Sequence, residues 1–128
     1  ANVFALLDEL TLGKRGVSID LFKKVLFLGE QPLRLLGLLI SHFRSMLMIK
    51  SLETDRCSQQ DIAKQCGKHP FVVKKNLGML RRVSVDDLTR IMLILKETDL
   101  HIKTGRYRPD LALEIMTADI LAITGRTA

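Results

Sequence analysis

The residues with the clearest capacity for chemistry are basic ones, and they cluster in the middle of the chain. From Ile62 to Val85 there are six lysines and arginines and no acid: Lys64, Lys68, Lys74, Lys75, Arg81 and Arg82. Such a face could contact nucleic-acid phosphates or an acidic partner protein, and the two interpretations stay equally open. A merely solvated basic surface is commoner than either.

Within this stretch, residues 58–77 have the outline of a helix-turn-helix, SQQDIAKQCGKHPFVVKKNL. A DNA-binding motif of this kind needs a small residue in its first helix, a glycine in the turn and apolar residues that lock the second helix. Ala63, Gly67 and Val73 meet these needs. Lys68 and Asn76 stand where such motifs usually carry apolar residues, so the match is partial.

The start of the second helix, where a DNA-binding motif would contact bases, carries unsuitable side chains. Base edges are read by Arg, Lys, Asn, Gln, Ser or Thr. The chain offers His69, Pro70, Phe71 and Val72 instead. Phe71 and Val72 suit packing against protein. We therefore expect no sequence-specific reading of DNA, and we take these two residues as candidates for a partner interface.

Metal, cofactor and catalytic sites have little support in the sequence. Cys57 and Cys66 are not arranged as a CxxC, and His42, His69 and His101 are scattered, so we expect reduced thiols and no zinc site. There is no GxxxxGKS/T loop that would cradle a nucleoside triphosphate, and no pattern typical of a nucleophile with its base. We expect no catalytic residue, no metal and no cofactor in this chain.

Asp99 is the acid that the sequence singles out. It continues the apolar seam of Leu88 and Leu95 at helical spacing. An acid on that seam faces the core, and a buried carboxylate needs a partner. Lys103, one helical turn away, and Arg44 on another helix are the candidate partners. Asp99 is therefore predicted to be a buried structural acid that accepts hydrogen bonds.

The segment GRYR at residues 105–108 holds the only tyrosine of the chain, between two arginines. Arg106, Tyr107 and Arg108 could grip a partner or a phosphate. A solvated connection whose tyrosine folds onto the core is the commoner arrangement. We keep the three residues as candidates for a partner interface.

Length and composition are those of one globular domain. The chain has 128 residues, 47% hydrophobic residues and a net charge of +6. Only 5% of the residues are aromatic and none is Trp, so aliphatic side chains and methionine must fill the core. No signal peptide is visible. The chain opens on Ala1 in a helix-like pattern, as a domain taken from a longer protein would, although removal of an initiator methionine gives the same start.

Signals for helix starts and ends are abundant, and strand patterns are nearly absent. We predict an all-α fold, a single orthogonal-type bundle of about seven helices. Helix caps are expected at Asn2, Ser18, Ser58 with Asp61, and Ser84 with Asp87, and helices are expected to begin at Pro32, Pro70 and Pro109. Gly13 is expected to end the first helix and Gly67 the fourth.

The third predicted helix, about residues 33–52, is apolar around most of its circumference. Its polar residues form a narrow stripe of Arg34, Ser41, Arg44 and Ser45. A helix of this kind must be surrounded by others, so we expect it at the centre of the bundle. Charged and polar residues, among them His42, interrupt its apolar stretch, and we do not expect it to span a membrane.

Four segments, taken together, resemble one known family. They are NVFALLDEL, GEQPLRLLGLLISHFR, SQQDIAKQCGKHPFVVKK, and ETDLHIKTGR followed by ALEI. In order and spacing they are similar to the C-terminal collar domain of the delta subunit of bacterial DNA polymerase III, a subunit of the clamp loader. The resemblance covers essentially the whole chain.

The resemblance implies a role in assembly. In that family, N-terminal modules of the AAA+ type, which include the clamp-binding element, precede an all-helical third domain. The third domains of the loader subunits join into a collar. Residues 1–128 would be one such collar domain, a C-terminal piece of a three-domain cytoplasmic subunit that does not itself hydrolyse ATP.

The partners implied by the resemblance are the other clamp-loader subunits. The sliding clamp and primed DNA would be reached only through the whole complex, which serves a DNA-directed DNA polymerase. No membrane would be involved. The alternative, from a different class, is a helix-turn-helix domain that binds nucleic acid.

Overall fold

The computed structural model describes residues 2–126, and these form seven α-helices and no strand. The helices are α1 (Asn2–Leu12), α2 (Arg15–Phe27), α3 (Pro32–Thr54), α4 (Gln59–Cys66), α5 (Pro70–Met79), α6 (Val85–Lys103) and α7 (Pro109–Thr124). The prediction of an all-α bundle is confirmed.

The long helix α3 lies at the centre of the bundle, as predicted. It packs against α1, α4, α5, α6 and α7. Its buried seam consists of Leu35, Leu36, Leu39, Phe43, Met46 and Ile49. By length and composition alone, α3 is apolar enough to cross a membrane, a test that the core helix of a globular domain also passes. In this fold its apolar seam lies against the neighbouring helices.

Most helix boundaries follow the local signals. Prolines occupy the first position of three helices: Pro32, Pro70 and Pro109. Ser58 Oγ accepts a hydrogen bond of 3.1 Å from the Asp61 N–H and so caps α4. Gly67 ends α4 with a φ of 66°, in the left-handed region that favours glycine. The predicted capping role of the Asn2 side chain lies outside what the structure describes.

The start of α2 differs from the prediction that Ser18 caps it. The helix begins at Arg15, and the Ser18 N–H donates an ordinary helical hydrogen bond of 2.9 Å to the carbonyl of Lys14. The reason is the preceding turn. Gly13, with a φ of 73°, reverses the chain directly after α1, so α2 begins without a longer loop. Ser18 is thereby buried inside the helix and caps nothing.

The start of α6 holds a buried acid. Ser84 Oγ accepts a hydrogen bond from the Asp87 N–H, and Asp87 Oδ2 accepts one from the Ser84 N–H, both at 3.0 Å. Arg126 donates to the other carboxylate oxygen, Oδ1, and Arg90 lies 3.7 Å from it. Burial by itself raises the pKa of Asp87, but the hydrogen bonds from Ser84 and Arg126 outweigh it and hold the pKa below its usual value. Asp87 therefore ties the end of the chain to α6.

Replacing Asp87 by asparagine should lower the free energy of unfolding by about 2 kcal/mol, because asparagine keeps the shape but removes the charge that Arg126 pairs with. The matched control is Asp86→Asn, an exposed acid in the same helical turn. In D86N only the interaction of the carboxylate with the helix dipole is lost, and the free energy of unfolding should fall by about 0.5 kcal/mol. Urea denaturation at neutral pH measures both, and equal losses in D87N and D86N would contradict the structural role of Asp87.

Candidate subunit interface

Large apolar side chains remain exposed on several faces of the bundle. The chain has five phenylalanines, and three of them lie on the surface: Phe4 is 66% exposed, Phe27 89% and Phe71 71%. Phe22 and Phe43 alone are buried in the core. Exposed apolar surface of this kind marks places where another protein can bind.

The start of α5 is occupied by a helix cap. His69 Nδ1 accepts a hydrogen bond of 3.0 Å from the Phe71 N–H, so the His69 ring serves its own helix. Phe71 projects outwards beside Val72, which is 39% exposed. These two carbon surfaces lie where a DNA-binding helix would carry hydrogen-bonding side chains. They suit contact with protein.

The pair α4 and α5 is an integral part of the bundle. Ile62, Ala63 and Val73 are buried, and the polar Asn76 is buried with them. The two helices also pack against α3. A hydrogen bond of 2.9 Å from Lys50 Nζ to the carbonyl of Leu80 joins α3 to the end of α5. The resemblance to a helix-turn-helix is thus accounted for by packing inside the domain.

The basic residues between Ile62 and Val85 are distributed over α4, α5 and the turns that follow them. Lys64, Lys74, Lys75, Arg81 and Arg82 are exposed, whereas Lys68 is half-buried. Lys75 Nζ lies 3.5 Å from a carboxylate oxygen of Asp8 on α1. Contact of these residues with phosphate or with an acidic partner stays a prediction.

The loop at residues 106–108 folds its tyrosine inwards. The Tyr107 ring is half-buried and meets the His101 ring edge to face, with 5.3 Å between the centroids. The Arg106 guanidinium lies 5.8 Å from the centroid of the Tyr107 ring, within cation–π range. Arg108 is exposed and precedes α7, where it lies 3.7 Å from Asp110. The two arginines are exposed to solvent, and the tyrosine is partly exposed.

The prediction that Asp99 is a buried acid is wrong. Its side chain is 32% exposed, and Lys103 Nζ lies 2.8 Å from its Oδ2. The basic partner one helical turn away is the one expected, but this part of α6 has reached the edge of the bundle. Asp87, at the other end of the same helix, is the buried acid of α6.

The thiols and imidazoles are not gathered into a site. Cys57 and Cys66 are free and half-buried. His42 bonds to Thr11, His69 caps α5 and His101 contacts Tyr107. Across residues 2–126 there is no group of three or more His, Cys, Asp or Glu side chains that could hold a metal ion.

A first groove lies between α2 and α7, with a volume of about 770 Å³. Ile19, Phe22 and Leu26 contribute apolar surface to it. Its acids are Glu30, Asp110 and Glu114, and Lys23 is its one basic residue among those described. The exposed Phe27 also lines this groove. The α2–α7 groove is therefore apolar with an acidic rim.

A second groove lies between α3 and α6, with a volume of about 520 Å³. Ile40, Met92 and Leu93 give it an apolar floor. Its rim is of the opposite sign: Arg44, Arg90 and Lys96 line it together with Asp99, which is already paired with Lys103. The α3–α6 groove is therefore apolar with a basic rim.

Comparison with known proteins identifies the family. Residues 1–120 match the family model described as the DNA polymerase III delta subunit, C-terminal domain. The chain belongs to this family. It is 30% identical over 120 residues to the DNA polymerase III subunit delta of Bacillus subtilis (strain 168), covering 94% of this chain and 35% of that protein.

A solved structure agrees with the delta-subunit assignment. The Bacillus subtilis DNA clamp loader delta protein (YqeN) superposes with a TM-score of 0.83 at 30% sequence identity, covering 94% of this chain and 36% of that one. This delta C-terminal domain thus spans about a third of the length of the relatives it matches. The resemblance inferred from the four sequence segments is confirmed. Neither match supports the alternative of a helix-turn-helix nucleic-acid-binding domain.

Sequence reasoning missed both grooves of this delta C-terminal domain. The signal for the α3–α6 groove was present in part, because Leu93, Lys96 and Leu100 share one face of a helix and Arg44 lies in the polar stripe of α3. The helical periodicity of the sequence does not reveal which two helices pack side by side and so bring these faces together. The signal for the α2–α7 groove was Phe27, an apolar residue at the last position of α2.

Proposed function

We propose that this chain is the collar domain of a clamp-loader delta subunit, an assembly module that itself carries no catalysis and needs no cofactor. The observation that carries the proposal is the combination of delta-family membership with exposed phenylalanines on three separate helices, α1, α2 and α5. Large apolar side chains are costly to expose to water, and a partner subunit that covers them removes this cost.

The proposal places residues 1–128 at the C-terminal end of a three-domain subunit. The domain binds the other clamp-loader subunits, and it meets the sliding clamp and primed DNA only through the whole complex. Loading of the clamp for DNA polymerase III takes place in the cytoplasm without contact with a membrane. The similarity to the Bacillus subtilis DNA clamp loader delta protein supports this role.

The residues proposed for subunit contact fall into three groups: an apolar pair, a polar loop and a set of basic residues. The apolar group is Phe71 and Val72 at the start of α5, both exposed. The polar group is the loop of Arg106, Tyr107 and Arg108. The basic residues Lys68, Lys74, Lys75, Arg81 and Arg82 would add contacts to an acidic subunit or to phosphate.

Changing Phe71 and Val72 to serine in the full-length subunit should weaken its binding to the remaining loader subunits by about tenfold or more, because apolar contact area is lost at the interface. The matched control is Val17→Ser with Leu33→Ser, two apolar side chains 48% and 53% exposed that lie in neither proposed contact group and in neither groove. Its affinity should stay within about twofold of the parent, as expected outside an interface core. Binding of the purified subunits is measured by surface plasmon resonance.

Three outcomes would count against the proposal, each against a different part of it. Equal affinities for F71S/V72S and the parent would remove these two residues from the interface. If a subunit from which residues 1–128 have been deleted still joins the complex, the collar role itself is overturned. Tight, sequence-dependent binding of duplex DNA by the subunit, lost with these residues, would restore the helix-turn-helix alternative.

A further inference from the structure

We propose that the α3–α6 groove is the docking site for an acidic amphipathic helix of a neighbouring loader subunit. The inference rests on the collar role proposed above and specifies the chemistry of one partner. It starts from the two long helices α3 and α6, which pack side by side and leave the apolar groove with its basic rim between their outer faces.

The side chains in the groove and on the helix faces beside it are spaced to suit a partner helix. On α6, Leu93, Lys96 and Leu100 recur at helical spacing along one exposed face, and Leu93 and Leu100 are 55% and 58% exposed. On α3, Met48 is 45% exposed, one turn beyond the exposed Arg44. Apolar side chains at such intervals bind a partner helix through its own residues at i, i+3 or i+4, and i+7.

The charge of the groove specifies the partner further. Arg44 stands on the α3 side, and Arg90 and Lys96 stand on the α6 side. Neither Arg44 nor Lys96 makes an ion pair with any residue from 2 to 126, whereas the acid of the groove, Asp99, is paired with Lys103. Basic groups on both sides of an apolar floor are complementary to a helix with an apolar face bordered by Asp and Glu.

The apolar floor argues against nucleic acid as the occupant. Contact between a charged phosphate backbone and the apolar side chains of Ile40, Met92 and Leu93 would contribute no binding free energy, because a hydrated phosphate does not remove water from apolar surface. A second copy of the chain is disfavoured as well. A symmetric contact would place Arg44 and Lys96 against the same cations of the other copy, and like charges across an interface are repulsive.

The test uses the full-length subunit in the reconstituted clamp loader. Reversing two charges, Arg44→Glu with Lys96→Glu, should weaken binding to the other subunits by about tenfold and should abolish the gain in affinity at low salt. The matched control is Lys14→Glu with Lys24→Glu, the same change of charge at exposed positions next to and on α2 that lie in neither groove. It should leave the affinity within about twofold of the parent.

A photo-crosslinker identifies the occupant directly. p-Benzoyl-phenylalanine in place of Leu93, 55% exposed in the groove, should form a crosslink to a neighbouring subunit within the assembled loader. Mass spectrometry should place that crosslink in a helix with acids at i and i+3 or i+4. Crosslinks only to other parts of the same subunit, or to DNA, would overturn the proposal.

The two proposals fail in distinguishable ways. If the parent subunit does not assemble through residues 1–128 at all, the collar role fails. If the parent assembles and R44E/K96E assembles equally well, the collar role stands and the α3–α6 groove is not the docking site. A loss of DNA affinity in R44E/K96E without any loss of subunit affinity would also overturn the inference.

Discussion

Replacing Gly13 by alanine is expected to lower the free energy of unfolding by about 4 kcal/mol or more. An added Cβ would lie 2.2 Å from the carbonyl oxygen of Thr124 and 2.7 Å from the backbone nitrogen of Gly125. These are backbone atoms at the end of α7, which cannot rotate away as the tip of a side chain can. The overlap is relieved only if α1 and α7 separate, and a packed interior resists such a shift.

A second contribution to the loss in G13A comes from conformation. Gly13 has a φ of 73°, in the region where a side chain costs about 1–2 kcal/mol. Gly105→Ala isolates this contribution, because Gly105 has a φ of 72° and an added Cβ there would meet nothing within 4 Å. The control should lose about 1 kcal/mol.

Urea denaturation of G13A and G105A at neutral pH gives the difference between the two losses. Failure of G13A to fold while G105A folds counts as the extreme form of the expected result. Equal losses in the two variants would show that the contact between Gly13 and α7 has no weight in stability. Gly125→Ala, on the other side of this contact, should also be destabilised despite the ordinary φ of Gly125, because its Cβ would lie 2.7 Å from the Leu121 carbonyl oxygen and 3.2 Å from the Gly13 carbonyl oxygen.

The sequence predicted those features of the fold that are decided within one turn of helix. The capping box of Ser84 and Asp87 needs only residues three apart, and the end of α4 needs only Gly67. Ser18 shows where such signals mislead. Serine can cap a helix, but Ser18 lies inside α2, because the turn at Gly13 makes this helix begin earlier in the chain.

Features that depend on distant residues could not be predicted. Nothing near Asp87 indicates that Arg126 completes its site, since the two are 39 positions apart. The seam that assigned Asp99 to the core was correct in its spacing, but periodicity does not reveal where a helix leaves the bundle. Gly13 was predicted to end a helix, but its contact with Thr124 could not be predicted because the two residues are far apart in the sequence.

The sequence indicated what kind of surface the candidate interface would be, but not where all of it would lie in the fold. The resemblance to the delta family implied an assembly module, and Phe71 and Val72, the apolar candidates for its interface, are exposed. Their contact with a partner stays a prediction. The two grooves depend on which helices pack side by side. That information lies in the tertiary structure, and opposite charges on the two rims became apparent only there.

The second large effect concerns His42, which joins α3 to α1. Its Nε2 lies 2.7 Å from Thr11 Oγ1, and the Thr11 hydroxyl donates its proton to the Leu7 carbonyl at 2.8 Å. Since that hydroxyl has no second proton to give, the imidazole must donate from Nε2–H. Burial lowers the pKa of His42 to about 4, with Asp8 opposing the shift and Lys68 adding to it.

The sign of the pH dependence follows from that pKa. An unfolded histidine has a pKa of about 6.5, so between that value and about 4 the unfolded chain binds a proton that the folded chain does not. Acid therefore favours unfolding. We expect His42 to contribute a loss of about 3 kcal/mol of unfolding free energy as the pH falls from about 7 to about 4.

Urea denaturation at a series of pH values measures this loss against two variants. His42→Gln removes the titrating group, and its acid-induced loss should be smaller than that of the parent by about 3 kcal/mol. Thr11→Val keeps the shape but removes the hydrogen-bond acceptor. Because burial is the larger cause of the low pKa, T11V should be less stable at every pH and yet keep the acid-induced loss. Parallel pH profiles for the parent and H42Q would show that the half-buried imidazole of His42 does not govern acid stability.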